Sequence, residues 1–362
     1  MAADGGRAVP KGVAGKAMER LDYFLRRLLL MVPTFLGITF ACFALCQVVP
    51  GGPVEQALAK MRGMGAAEAG RSPHAGAAVS PEQRQALEAH FGFDKPVLQR
   101  YWIWLAKDKM GLAARSYKYP NKTVGRLIAD RFRISLVFGI SGFALTYLIC
   151  IPLGIAKALR HGSAFDAASS LVVFAGYAIP AFAFGMLLKM LLAGTGEGFW
   201  DLLPASGVAS VNHELLSPWG KAKDLAAHFV LPVSCYVIGN FAVLTLLMKN
   251  SLLEQIGQDY VRTVLAKGGS LRRAVWRHAF RNALIPIATG FGGVLGILFA
   301  GSVLIEKVFE IPGMGLLSLD AIVNRDYMVF MGILATTSVL GLLGRLLSDA
   351  CYLWIDPRIQ FD

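Results

Sequence analysis

One segment, DYVRTVLAKGGSLRRAVWRHAFRNALIP from Asp259 to Pro286, concentrates the residues able to do chemistry. It holds Arg262, Lys267, Arg272, Arg273, Arg277 and Arg281 against a single acid, Asp259. That is the chemistry of binding, not of bond-making. Tyr260, Val261, Val264 and Leu265 recur at helical spacing, which predicts a short amphipathic helix. Gly268-Gly269 ends it. Ser270 then caps a second helix, whose apolar side carries Leu271, Val275, Trp276, Ala279 and Phe280. A short helix held at the face of a membrane bundle suits docking to a soluble partner. The same arginines would also fix membrane topology and bind anionic lipid, and spacing alone weighs the two readings about evenly.

A second candidate is Arg345 with Asp349. Four residues apart in an apolar stretch, they share a helix face and are expected to pair. Such a pair either lines a pathway or holds the last helix in its bundle, and the holding role is favoured. Lys189, near the end of another apolar stretch, is expected to snorkel to the interface.

Other chemistry is missing from the sequence. No Walker A motif occurs, so ATP is not expected to bind here. The glycines of Gly290–Gly296 lie inside an apolar stretch and suit close helix packing better than a nucleotide loop. Neither HExxH nor a Ser/His/Asp order supports an enzyme. The 6 histidines have no metal-ligand spacing. The 5 cysteines all lie in or beside apolar segments and read as buried or lipid-facing side chains, not as a disulfide set.

The elements that position these groups are membrane helices. The chain of 362 residues is 55% hydrophobic, with a mean hydropathy of +0.52, beyond the range of ordinary soluble domains. Spans are predicted over 28–49, 134–156, 167–193, 227–248, 284–305 and 330–354, each near the roughly 20 residues that a bilayer needs. The first lacks a cleavage site and is not read as a signal peptide. A net charge of +12 can signal a nucleic-acid partner. Here much of it sits beside the spans, so membrane orientation explains it better and no nucleic acid is expected. Lys and Arg crowd the tail 1–27, Lys157 and Arg160 flank a short turn, and the loop 249–283 is basic. Both ends, 1–27 and 355–362, are therefore placed in the cytoplasm. The loops 50–133, 194–226 and 306–329 are placed outside. Within the first, 61–80 is Ala/Gly-rich and reads as a flexible insert. Pro81–Arg133 reads as folded, with Ser80 capping a helix, Pro81 at its first position, and Tyr101, Trp102 and Trp104 available for a small core or an interfacial belt.

Several segments together resemble a known family. Tyr260-Val261-Arg262-Thr263, Ala266-Lys267-Gly268 and the run Arg277–Pro286 look like the cytoplasmic motif of permeases from binding-protein-dependent ABC importers of the dipeptide/oligopeptide/nickel type. Pro50-Gly51-Gly52-Pro53, Phe93-Asp94-Lys95-Pro96, Ile151-Pro152-Leu153-Gly154, Ile311-Pro312-Gly313-Met314-Gly315, Asn324-Arg325-Asp326-Tyr327 and Asp356-Pro357-Arg358-Ile359 agree with it. The long outer insertion looks most like the microcin C/oligopeptide branch.

The resemblance implies an all-α inner-membrane protein of a bacterial cell, of the type I ABC importer permease class. It implies no ATPase site here, with ATP and magnesium bound by a partner ATPase subunit. A second homologous permease would share the pathway, and a periplasmic binding protein would deliver peptides or peptide-like substrates, microcin C among them. Tyr260, Val261, Arg262, Thr263, Val264, Leu265, Ala266, Lys267 and Gly268 would couple to the ATPase, with Arg277, His278, Arg281 and Asn282 behind them. Val264 and Leu265 stand where the family usually has Ala and Arg, which makes the coupling helix more apolar. Gly269 stands where Leu is usual and Arg345, on the last span, where Asn is usual. The competing reading is a stand-alone secondary transporter or channel for small solutes. It calls for charged groups or broken helices at mid-membrane.

Overall fold

The computed structural model describes residues 13–48, 54–55, 57–58, 80–90, 93–193, 200–289 and 302–355; side chains are described from 21 to 350 within these. The secondary structure of the described residues is helical, with two isolated bridges, Arg115 to Thr123 and Ala193 to Leu203. The helices are α1 (Val13–Val48), α2 (Pro81–His90), α3 (Val97–Trp102), α4 (Val124–Leu159), α5 (Ala164–Ala178), α6 (Ala181–Leu192) and α7 (Pro218–Ile256). They continue as α8 (Asp259–Ala266), α9 (Leu271–Ala274), α10 (Phe280–Ala283), α11 (Ile285–Thr289), α12 (Val303–Val308), α13 (Met314–Val323) and α14 (Tyr327–Ile355).

Four helices among the described residues are long and apolar enough to cross a bilayer: Leu21–Val48, Val124–Leu159, Pro218–Ile256 and Tyr327–Ala350. The stretch 167–193, expected as one straight span, is instead two helices, α5 and α6, bent by 96°. The cause is Ile179-Pro180. A residue before proline is pushed out of the helical region, and Ile179 sits at φ −96°, ψ 120°. Pro33, Pro152 and Pro232 lie within continuing helices, so proline alone does not decide the break. Most of the expected span 284–305 lies outside the described residues, as do 61–79 of the insert.

The bundle is organised on α4 and α7, of 36 and 39 residues. At 1.5 Å per residue each is about 55 Å long, well beyond the ~30 Å hydrocarbon layer. Small residues let them meet closely. A Cβ on Gly142 would fall 2.6 Å from the Cβ of Tyr236, and one on Gly154 would fall 2.7 Å from the Cβ of Met248. Phe138 stacks on Phe229 with ring centroids 4.1 Å apart. The bent α5–α6 pair packs on α7, and α14 packs on α1, α4 and α13.

At the end remote from α8, buried carboxylates hold the turns. Glu306 accepts hydrogen bonds from the Ser135 hydroxyl (2.9 Å) and the Leu316 amide (2.7 Å). The Ser135 oxygen accepts in turn from the Met314 amide (2.7 Å). Gly313 is pressed against both groups, leaving no room for a Cβ. Asp326 caps α14 by accepting from the Val329 amide (3.3 Å), and it also accepts from the Ser116 hydroxyl (2.5 Å) and the Lys118 amide (3.1 Å). Burial beside this carboxylate pushes the Tyr117 hydroxyl up. Lys189 does not snorkel: its ammonium donates to the Val308 carbonyl (3.0 Å), at the C-terminal end of α12. An orphan helix carbonyl within reach is a better partner than distant water.

In the loop after α1, Ser80 and Gln83 form a reciprocal capping box, with Gln83 N to Ser80 Oγ at 3.2 Å and Ser80 N to Gln83 Oε1 at 3.1 Å. Tyr101 and Trp104 are buried against Phe43, Met331 and Ala335, while Trp102 is exposed. Of the three aromatics, Tyr101 and Trp104 therefore take the core role, anchored to α1 by Thr39 and Tyr101 at 2.9 Å, and Trp102 does not.

The last-helix pair differs from expectation. Asp349 is buried and its ion-pair partner is Arg27 of α1, with the Tyr23 hydroxyl also donating to it (3.5 Å). Arg345 is exposed. Helical spacing permits a pair within α14, but Arg27 of α1 reaches the buried Asp349 carboxylate across the helix interface. Asp349→Ala is expected to destabilise the protein by about 1–3 kcal/mol, because a cation loses its counter-charge. Arg345→Ala is expected to stay near wild type, and the double change Arg27→Met/Asp349→Leu to recover most of the loss. Thermal unfolding in detergent checks all three.

Candidate functional site: a basic helical platform

The segment 257–283 folds into a platform at one end of the bundle. Only Gly257 and Gln258 separate α7 from α8. Tyr260 fixes the corner. Its hydroxyl donates to Gln255 Oε1 (2.8 Å) and accepts from Asn282 Nδ2 (3.4 Å). Val261 is buried, at 1% exposure, in a cluster with Met248, Leu252, Ala274, Val275 and Ala279. Tyr260 and Val264 are half-buried against the same cluster.

The apolar stripe of α8 therefore seats mostly on its own chain. Leu265 alone of Val261, Val264 and Leu265 is exposed, at 41%. Arg262, Thr263, Ala266, Lys267 and Gly268 are exposed around it. Arg262 and Asp259 form a loose surface pair at 3.4 Å, which contributes little.

The two glycines end α8 in a Schellman motif. Gly269 N donates to Val264 O (3.0 Å) and Gly268 N to Leu265 O (2.9 Å). Gly268 has φ +81°, a conformation that side chains disfavour. Gly269 is required by contact: a Cβ there would lie 2.7 Å from Val264 Cγ1 and 2.8 Å from its carbonyl oxygen.

Ser270 caps α9 through Arg273 N (3.3 Å). A π turn at Val275–Ala279 joins α9 to α10. The buried face differs from the one predicted for the second helix. Val275 and Ala279 are buried and Phe280 is half-buried, but Leu271 and Trp276 are exposed. A π turn widens the helix by a residue and shifts the register of the next turn. Trp276 and Phe280 sit 5.2 Å apart, and Ser270, Arg272, Arg273 and Trp276 line a shallow open depression. Arg277, His278, Arg281 and Asn282 are exposed on the same stretch. The platform is thus cationic and dotted with single apolar groups. It suits contact with an anionic surface, that of a protein or of lipid headgroups.

Behind the platform lies a charge cluster that residue spacing does not reveal. The Lys249 ammonium bonds both Asp166 oxygens (2.7 and 2.8 Å). Lys157, with 0% side-chain exposure, approaches Asp166 Oδ1 at 3.1 Å. It also donates to the Asp166 carbonyl (2.9 Å) and to the Ser169 and Ser170 hydroxyls (2.8 Å each). Gly162 N donates to Asp166 Oδ2 (3.2 Å), and His161 Nδ1 stands 3.3 Å from that oxygen. Beside a short turn, Lys157 looks in the sequence like a topology signal only. The available clue to its burial is an aspartate nine residues on, at the start of the next apolar stretch.

Among the described residues, no group of three or more His, Cys, Asp or Glu could hold a metal ion.

Residues 150–361, more than half of the chain, match the family described as "Binding-protein-dependent transport system inner membrane component". The chain is 40% identical to the "Peptidoglycan transport system permease protein YejB" of Agrobacterium fabrum, with 94% of this chain and 98% of that protein covered. It is 38% identical to the "Inner membrane ABC transporter permease protein YejB" of Escherichia coli O157:H7, over 94% and 99%. It is 33% identical to the "Dipeptide transport system permease protein DppB" of Escherichia coli K12, over 94% and 99%. The helical membrane architecture and these likenesses agree: the chain belongs to the inner-membrane components of binding-protein-dependent transport systems and is a multi-pass permease subunit of an ABC transporter.

Proposed function

We propose that this permease imports peptides or peptide-like molecules, with the α8 platform in the cytoplasm as the seat of a partner ATPase. Both termini then face the cytoplasm, and the ends held by Glu306 and Asp326 face outward. A second homologous permease completes the pathway, and an external binding protein delivers substrate. ATP and magnesium bind to the partner ATPase.

The observation that carries this reading is the mounting of α8. A helix that only marked topology would need no fixed orientation. This one is seated by Val261, cornered by Tyr260, ended by a two-glycine motif, and joined to α7 by two residues. Displacing it displaces α7, so closure of an ATPase pair on ATP moves the bundle as a body. Leu265 and the surrounding cations supply the contact. Peptide chemistry in the names of the relatives supports the substrate class. A stand-alone secondary transporter gives no account of so firmly mounted a helix.

Reconstitution with the partner permease, ATPase and binding protein tests the reading. Leu265→Asp is expected to leave membrane insertion intact. It should weaken ATPase association by a factor of about 5–10, from the loss of roughly 1 kcal/mol of apolar burial and the charge introduced. Val261→Asp is expected instead to destabilise the permease itself. Uptake of labelled di- to oligopeptides should depend on ATP, and uptake of free nickel should be absent. Wild-type ATPase association and transport in Leu265→Asp would return α8 to a topology signal.

The helix stop gives a second test. Gly268→Val strains a positive φ and is expected to cost about 1–2 kcal/mol locally. Gly269→Ala drives a methyl into Val264. Both are expected to lower binding-protein-stimulated ATP hydrolysis more than basal hydrolysis. Equal loss of both rates, tracking the amount of assembled complex, would contradict this.

A further inference from the structure

The cluster of Lys157, Asp166 and Lys249 joins three helices at their α8 ends, and its place in the chain gives it more to do than hold them. Lys249 lies on α7, two residues before Ser251, whose hydroxyl donates to the Ala283 carbonyl (2.9 Å) at the close of the platform. Seven residues after Lys249, α7 ends, and α8 begins after Gly257-Gln258. Asp166 lies in the first turn of α5, the half-helix whose other end is the 96° bend at Ile179-Pro180. Lys157 lies in the last turn of α4. A continuous mechanical path therefore runs from α8 through α7 to Asp166, and along α5 to the bend.

The chemistry of the joint resists slippage. The Asp166 carboxylate takes both oxygens to Lys249, one to Lys157 and one to the Gly162 amide. The fully buried Lys157 spends its remaining bonds on the first turns of α5. Sliding α5 past α4 or α7 would leave buried charges without partners, a large penalty in so apolar a setting. Rotation about the bend breaks none of these bonds. A change of angle between α5 and α6 therefore keeps the cluster intact, and shifts α6 against α7 and the end of α12, where Gly185 meets Cys235 and Phe309 and Lys189 bonds the Val308 carbonyl.

We propose that Lys157, Asp166 and Lys249 are positioning residues for transport: they clamp α4, α5 and α7 into one body that carries displacement of α8 to the bend at Ile179-Pro180. The inference rests on the ATPase-driven reading of the platform, and the test separates the two. In proteoliposomes holding the whole complex, Lys249→Met is expected to retain the ATPase subunit and basal ATP hydrolysis. It should raise the ATP hydrolysed per peptide transported by roughly 2- to 30-fold. Lys249→Arg, which can still reach both oxygens, should restore the wild-type ratio. If Lys249→Met fails to assemble, the wild-type cluster can be read directly. Spin labels on the exposed positions Leu171 of α5 and Val243 of α7, with native cysteines replaced, report the distance between the helices. That distance is expected to stay the same between nucleotide-free and ATP-trapped states, while Leu171 to Met190 of α6 changes. An unchanged ATP-to-peptide ratio in Lys249→Met, a loss proportional to assembled complex only, or a shift of several Å between Leu171 and Val243 would overturn the clamp. A wild-type complex that neither binds nor responds to an ATPase would overturn the prior reading instead.

Discussion

Ionised and polar groups held away from water must find their partners within the protein, and this constraint orders the whole structure. It decides where helices touch. Lys157 and Lys249 both go to Asp166, so α4, α5 and α7 converge at one end. Arg27 goes to Asp349, so the long first helix lies along the last. At the far end Glu306 and Asp326 gather hydroxyls and amides from separate segments and so fix the turns there. Apolar contact is available to every face of a membrane helix and is therefore poorly selective. The sparse charges supply the selection.

Close approach supplies the second layer. Where lipid and side chains are equally apolar, helices gain from van der Waals fit, and glycine sets how near they come. Gly142 and Gly154 bring α4 onto α7, and Gly313 lets Ser135 and Glu306 reach the amides beyond it. These positions give the bundle a rigid centre, α4 with α7. The bent α5–α6 pair packs on α7 and is tied to α4 chiefly at its α8 end. The half-helix α6 is held separately, by its packing on α7 and by the Lys189 bond to the Val308 carbonyl.

Much of this architecture is legible from residue types. The platform helix, its glycine stop and the Ser270 cap follow from period and capping rules, because local hydrogen bonds decide them. The family motif points to a permease for the same reason: it lies in contiguous residues. The features that are not legible depend on three-dimensional neighbours. Asp349 has a partner at helical spacing, Arg345, and only the packing of α1 shows that Arg27 takes it. Lys157, Asp166 and Lys249 are spread over 93 residues, so no local pattern links them. The break at Pro180 against continuity at Pro33, Pro152 and Pro232 is likewise a tertiary decision. Leu271, at the start of the second helix, and Trp276, inside the π turn, both face outward from the face that simple periodicity assigns them.

The burial of Val261 recasts how a soluble motor could act on such a bundle. Had the whole apolar stripe of α8 been left for a partner, the helix would be a flexible tether, ordered only on docking. Ordering costs conformational entropy at each encounter and lets a pull be absorbed by the linker. Seating Val261 and Val264 on the bundle meets that cost once, during folding. It leaves Leu265 and a rim of cations exposed, where the proposed partner would dock. The contact is then mostly polar, which favours reversibility. The mounting is mostly apolar and short-linked, which favours faithful transmission of movement. The proposed coupling role needs both properties, and this arrangement places them on opposite faces of an eight-residue helix.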